Sequence, residues 1–206
     1  DGFGGAAQVS FSWTVSEVTG PQPVIEDEFA EGAGTTVGVS GPAGLVMTIS
    51  NPWNVSWVPG GGLTLDSSTV ISSGGPATAL FDAVTASNAM TVEAWVQPAN
   101  DTQGGPARLV ASEGSSTARN FMVGQGAWSS LPDDTFATRF RTTTSVSGEP
   151  TLFTPSGSAS TDLTHVVMSR TAAGTITMFV DGVQVSTQLR GGTLANWDAS
   201  YPLLLG

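Results

Sequence analysis

Residues 163–188 read LTHVVMSRTAAGTITMFVDGVQVSTQ, three short runs of apolar and β-branched residues cut by two turn signals. Ala173-Gly174 and Asp181-Gly182 are residue pairs that tolerate the left-handed backbone of a tight hairpin turn. Residues 163–170, 175–180 and 184–188 therefore read as strands joined by hairpins. The same grammar extends through the chain. Strands are expected at 45–50, 62–66, 90–97, 107–113, 119–124, 136–143, 152–155 and 201–205. Helical periodicity is confined to residues 78–86 (TALFDAVTA), enough for about two turns after Pro76. Twenty-six glycines and twelve prolines punctuate the 206 residues, and only 11% of the residues are charged. So many short strands between turns predict an all-β fold, an antiparallel two-sheet sandwich or jelly roll.

The N-terminal strand stands apart. Residues 8–16 (QVSFSWTVS) alternate strictly, with Val9, Phe11, Trp13 and Val15 on one face and Ser10, Ser12 and Thr14 on the other. Gly20-Pro21-Gln22-Pro23 breaks the pattern and reads as a linker. The expected organisation is an isolated strand in 1–19, a linker at 20–23 and a sandwich over 24–206. The chain opens at Asp1 with neither an initiator methionine nor a leader, which reads as a processed product or part of something longer.

Charge narrows the partners. There is no lysine, and six arginines face seventeen acidic residues, for a formal net charge of −11. A nucleic-acid partner is excluded, because nothing here neutralises a run of phosphates. Anionic lipid is disfavoured for the same reason, and no apolar run approaches the ~18 residues of a membrane span. Without cysteine and with one histidine, thiolate and multi-histidine metal sites are excluded. Lysine-free, acidic, Ser/Thr/Gly-rich chains of this kind point to a secreted bacterial surface protein.

A family resemblance rests on motifs in order. Phe29-Ala-Glu31-Gly32-Ala-Gly34-Thr35-Thr36-Val37 and Gly62-Leu63-Thr64-Leu65 resemble the opening of bacterial laminin G-like (concanavalin A-like) jelly rolls. Met90-Thr-Val92-Glu93-Ala-Trp95-Val96-Gln-Pro98 resembles that family's first long strand. Arg119-Asn120-Phe121, Arg139-Phe140-Arg141 and Leu163-Thr164-His165-Val166-Val167 resemble its middle strands. Phe179-Val180-Asp181-Gly182-Val183 resembles its hairpin, and Asn196-Trp197-Asp198 with Tyr201-Pro202-Leu203 its late strand. The resemblance implies a non-catalytic module for adhesion or recognition of a glycan or surface protein. It also implies that the sandwich lacks a closing strand, since the family continues past residue 206. Residues 1–16 resemble instead the last strand of a bacterial immunoglobulin-like or cadherin-like repeat.

Candidate sites follow from strand parity. Glu93, Trp95 and Gln97 share one face of their strand, opposite Val92, Ala94 and Val96. Arg139 and Arg141 share a face opposite Phe140, and His165 lies opposite Val166. If these strands adjoin, the six form a polar patch on the concave sheet, with Trp95 free to stack on a sugar ring. The rival expectation is an internal ion pair from Glu93 to Arg139 or Arg141, with His165 packed and donating to a backbone carbonyl. Calcium is the ion that oxygen ligands alone suit. The resemblance points to Asp133, Asp134, Asp162, Asn196 and Asp198 for it, although Gly38 stands where the family often carries an aspartate. Catalysis is not expected. Glu26-Asp27-Glu28 with Glu31 is a contiguous, solvated cluster without the strand spacing of paired glycosidase carboxylates. A hydrolase or lyase would need such a pair or a Tyr/His constellation, and Tyr201, the single tyrosine, is remote from His165 in the chain. Trp53, Trp57 and Trp128 are expected to plug the ends of the core.

A structural reading competes with the binding module. The strand holding Val9, Phe11, Trp13 and Val15 cannot stand alone in water. Donated into a neighbour whose sheet lacks a strand, it would build a head-to-tail fibre. Burying those four side chains contributes about 6–10 kcal/mol in transfer terms, before ordering costs.

Overall fold

The computed structural model describes residues 22–103, 105–126, 132–145 and 148–206. Val9, Phe11, Trp13, Val15 and Trp128 lie outside the described residues. Fourteen strands are assigned among the described residues. The first seven are β1 (Thr36–Gly38), β2 (Val46–Ile49), β3 (Val55–Trp57), β4 (Leu63–Leu65), β5 (Ile71–Ser72), β6 (Met90–Val96) and β7 (Ala107–Ser115). The others are β8 (Ala118–Gln125), β9 (Phe136–Phe140), β10 (Leu152–Phe153), β11 (Thr164–Arg170), β12 (Thr175–Val180), β13 (Val183–Leu189) and β14 (Leu203–Leu205).

They form an eight-stranded sheet, β1-β2-β5-β14-β7-β8-β9-β10, and a four-stranded sheet, β13-β12-β11-β6, with a small β3-β4 hairpin beside them. Pairing is antiparallel throughout, as a jelly-roll sandwich requires. The three strands read from residues 163–188 are β11, β12 and β13. Asp181 and Gly182 both take positive φ, 50° and 77°, which makes the β12–β13 turn the primed type whose twist suits a hairpin.

The core lies between the sheets. Val166, Met168, Ile176 and Met178 from the four-stranded sheet meet Phe121, Val123, Phe136 and Phe140 from the other. Trp197 closes one side, its ring 5.8 Å from Phe121 and 5.3 Å from Phe140, with its Nε1 donating to the Arg141 carbonyl at 2.9 Å. The expected helix forms as α1 (Thr78–Ser87) and buries Leu80 and Val84, one turn apart. Asn88 ends it in the left-handed conformation, φ 52°, and its side chain ties the helix end to Leu194 N and the Ala172 carbonyl.

Three short strands, β1, β3 and β5, were not legible in the pattern. Each has two or three residues, too few to show a period of two. Trp53 is a second departure. It does not plug the core but stands 95% exposed on a 3-10 turn, Pro52–Asn54, whereas Trp57 in β3 packs against the core as expected.

The acidic cluster organises the entry loop. Asp27 Oδ1 accepts from Phe29 N at 2.6 Å, and Glu31 Oε1 accepts from Gly38 N at 2.6 Å. Burial pushes the Asp27 carboxyl above the usual carboxylate range, opposed by the Phe29 hydrogen bond. These are the local side chain to backbone bonds that acidic residues make in loops.

Candidate functional site

The outer face of the four-stranded sheet is exposed because nothing described packs on it. β6 alternates without a break: Thr91, Glu93 and Trp95 face out, while Val92, Ala94 and Val96 face in. Trp95 sits opposite His165 in the antiparallel register, and Glu93 opposite Val167. The two rings stack, with centroids 4.6 Å apart and planes inclined by 20°. His165 Nε2 lies 2.9 Å from Glu93 Oε1, and the His165 backbone N–H donates to Asp181 Oδ1 at 2.9 Å. Trp95 nevertheless remains 65% exposed. Val167 pairs onward with Phe179, and Thr91 Oγ1 donates to Ser169 Oγ at 3.3 Å. Gln97, also exposed, donates to the Thr161 carbonyl at 3.2 Å. The result is a flat aromatic surface bordered by a carboxylate, an imidazole and hydroxyls.

Arg139 belongs elsewhere. Its strand, β9, is in the eight-stranded sheet, so neither the combined six-residue patch nor a Glu93–arginine pair forms. The partner of His165 is likewise not a backbone carbonyl but Glu93. The physical reason is sheet membership: parity gives each residue its face, but β6 adjoins β11 and not β9. Arg141 lies just past β9, its backbone N–H donating to the Asn120 carbonyl at 2.8 Å.

The outer face of the eight-stranded sheet holds a second constellation. In register, Ala111 faces Met122, Met122 faces Arg139, and Glu113 faces Arg119. Arg108 Nε approaches Glu113 Oε1 at 2.5 Å, and Arg119 Nε lies 3.6 Å from Glu113 Oε2. Arg139 pairs with Glu149, and its Nε donates to Thr151 Oγ1 at 2.9 Å. The Arg119 side chain is only 1% exposed. Burial pulls its guanidinium below the usual arginine range, against the opposing pull of Glu113, and burial does the same to Arg139 against Glu149. Arg190 braces the loop that carries Glu149, donating to the carbonyls of Gly148 and Pro150. The sequence reading missed Arg108, Glu113, Arg119 and Glu149. One signal existed: Glu113 and Arg119 flank Gly114-Ser115-Ser116-Thr117-Ala118, so a hairpin there brings opposite charges into register.

The calcium candidates do not converge. Asp134 Oδ2 accepts from Ser156 Oγ and Gly157 N, both at 2.7 Å, while its Oδ1 is buried without a hydrogen-bond partner among the described residues. Asp133 precedes it in the same loop. Asp162 N–H bonds to Ser160 Oγ, and the Asp162 carbonyl accepts from Thr164 Oγ1. Asn196 donates to the Thr142 carbonyl at 2.8 Å. Asp198 Oδ1 accepts from Ser200 N and Oγ, bonds that hold its carboxyl below the usual range. Among the described residues no three Asp, Glu, His or Cys side chains group as metal ligands. The five candidates thus do not make one cage of the six to eight oxygens that calcium takes.

Comparison with known proteins supplies the family. Residues 72–206 match the family described as the concanavalin A-like lectin/glucanases superfamily, Laminin_G_3. The chain belongs to this superfamily. No curated protein matches the sequence. Among solved structures, the binding domain of botulinum neurotoxin serotype D/C VPI 5993 superposes with a TM-score of 0.57 at 7% identity. That match covers 88% of this chain and 42% of the toxin domain, less than half its length. The CBM40 of the Ruminococcus gnavus IT-sialidase gives a TM-score of 0.45 at 16% identity, over 61% of this chain and 67% of that one. The same CBM40 bound to alpha2,3 sialyllactose gives 0.40 at 14%, over 57% and 62%. At 7% identity the likeness to the toxin binding domain is one of fold alone.

Proposed function

We propose that this chain is a non-catalytic carbohydrate-recognition module that works outside the cell, binding a saccharide on the outer face of the four-stranded sheet. The exposed Trp95 indole, stacked on the His165 ring, carries the reading. An indole offers the C–H face of a pyranose a large rigid surface at little entropic cost. Glu93, fixed by His165, and Thr91, fixed by Ser169, offer acceptors and donors to sugar hydroxyls. On the other sheet Glu113 and Glu149 are paired to arginines, which leaves those two poorly placed to act as a glycosidase acid and base. A neutral-glycan array probed with the wild type and Trp95→Ala tests the proposal. Binding that falls at least tenfold in the variant, with an unchanged melting curve, supports it. Equal binding by both proteins overturns it.

A specific observation also favours the strand-donation reading. β6 is an edge of its sheet among the described residues, with a hydrogen-bonded neighbour on one side only. Its inward side chains Met90, Val92, Ala94 and Val96 are half-buried, whereas those of the adjoining β11 are buried. An added strand with one apolar face would complete that flank. Residues 8–15 have the required alternation. Light scattering of the full chain and of a variant lacking residues 1–19 separates the cases. Concentration-dependent assemblies only in the full chain favour donation, and two folded monomers of equal stability exclude it.

A further inference from the structure

The six basic residues of this lysine-free chain all lie away from the Trp95 face. Arg108, Arg119 and Arg139 stand on β7, β8 and β9 of the eight-stranded sheet, and Arg141 follows β9. Arg170 and Arg190 are buried, at 1% and 6% exposure, and their side chains donate to backbone carbonyls. His165, the single histidine, carries no permanent charge and is already met by Glu93 Oε1.

What the face does carry is carboxylate. Asp181, in the turn after β12, takes the His165 N–H, and His165 stands opposite Trp95, so the three residues lie side by side across the sheet. Glu93 is two residues before Trp95 on the same face of β6. Each carboxylate spends one oxygen on His165, Glu93 Oε1 on the ring and Asp181 Oδ1 on the backbone. Glu93 Oε2 and Asp181 Oδ2 have no partner among the described residues. The Glu93 side chain is 62% exposed and Trp95 is 65% exposed, so the site is open.

Charge then sorts the sugars. An acidic saccharide meets two carboxylates in a chain of net charge −11, with no guanidinium on the face to receive it. A neutral one finds acceptors for its hydroxyls. A protonated sugar amine gains more than either, because its bond to a carboxylate is charge-assisted and an indole face attracts a cation.

We infer that the Trp95 site selects a saccharide with a free amine, a hexosamine whose ring lies on the open indole face and whose ammonium meets Glu93 Oε2. Asp181 adds to the negative potential of the row. The inference rests on the reading of Trp95 as a sugar platform and adds the charge of the sugar.

Calorimetric titration with a glucosamine tetrasaccharide, its N-acetylated counterpart and cellotetraose tests it. The wild type is expected to bind the amine-bearing sugar at least tenfold more tightly than the other two, a margin that shrinks as salt rises. Glu93→Gln is expected to erase the margin while leaving the neutral sugars within about twofold of the wild type. Glu28→Gln, which removes the same single charge from the exposed entry loop, is expected to keep the margin. Equal affinities for the three sugars overturn this inference alone, as does a margin that survives Glu93→Gln. A margin that shrinks equally in both variants assigns the preference to net charge and also overturns it. If none of the three sugars binds, the sugar-platform reading falls and this inference falls with it.

Discussion

β8 and β11 are interior strands of the two sheets and bury their side chains in opposite styles. β11 alternates without exception, Thr164, Val166, Met168 and Arg170 buried and the residues between them half-exposed. β8 is buried almost throughout, on both faces, including Arg119, Asn120 and Gln125. The difference lies in what covers the outer face. Over β11 there is solvent. Over β8 the connections fold back: Asn120 is clasped by the backbone of Asp198, and Gln125 donates to the Asn100 carbonyl at 2.6 Å. A sheet covered on one side needs only apolar residues on alternate positions. A sheet covered on both encloses polar side chains as well, and the eight-stranded sheet gives them ion pairs and amide clasps.

Perturbing the covered face should cost most. Arg119→Leu leaves Glu113 with one partner in a buried place, and urea unfolding is expected to show a loss of about 3–5 kcal/mol. Arg190→Gln releases the carbonyls of Gly148 and Pro150. It should cost about 1–3 kcal/mol in the same measurement and speed proteolysis near that loop.

Acid should act with opposite signs on two carboxylates. Asp198 is depressed by Ser200, so its contribution is present above the unfolded value of 3.8 and is lost as pH falls through the lower folded value. Asp27 is raised by burial, so its charge opposes folding at neutral pH and ceases to do so as pH falls through the raised value. Asp27→Asn is therefore expected to melt higher than the wild type at pH 7, with the two curves converging toward acid. Identical curves at both pH values would show that Asp27 is solvated.

The exposed face should show the smallest effect on stability. Trp95→Ala is expected to shift unfolding by no more than about 0.5 kcal/mol, as for other exposed positions. A large shift would mean that the indole is part of a packed surface, and the contrast between the two outer faces would fail.

Legibility tracked the same contrast. The four-stranded sheet was readable because one wet face imposes a period of two, so Glu93, Trp95 and His165 were each assigned the face they occupy. The hairpin at Asp181-Gly182 was readable because few residue pairs tolerate two positive φ values in succession. The charged face of the eight-stranded sheet was not readable, because residues 118–125 (ARNFMVGQ) carry no alternation. Register shifts between Arg108 and Val110 and around Glu113 also disturb parity across β7 and β8. The expected joining of Glu93 to Arg139 failed for another reason: a strand's own sequence does not say which sheet it enters.

The sequence by itself determined the all-β class, the positions of the long strands and of the α-helix among the described residues, and the inward or outward sense of the alternating residues of β6 and β11. These are local matters, set by φ/ψ preference, turn chemistry and the pleat. Only the tertiary structure decided that Trp95 stacks on His165, that Glu93 takes the imidazole and not a guanidinium, and that Arg108, Arg119 and Arg139 converge. Those pairings join residues that are distant in the chain. They depend on strand order and on which connections fold over a face, and the free energy that selects both comes from burying the core as a whole.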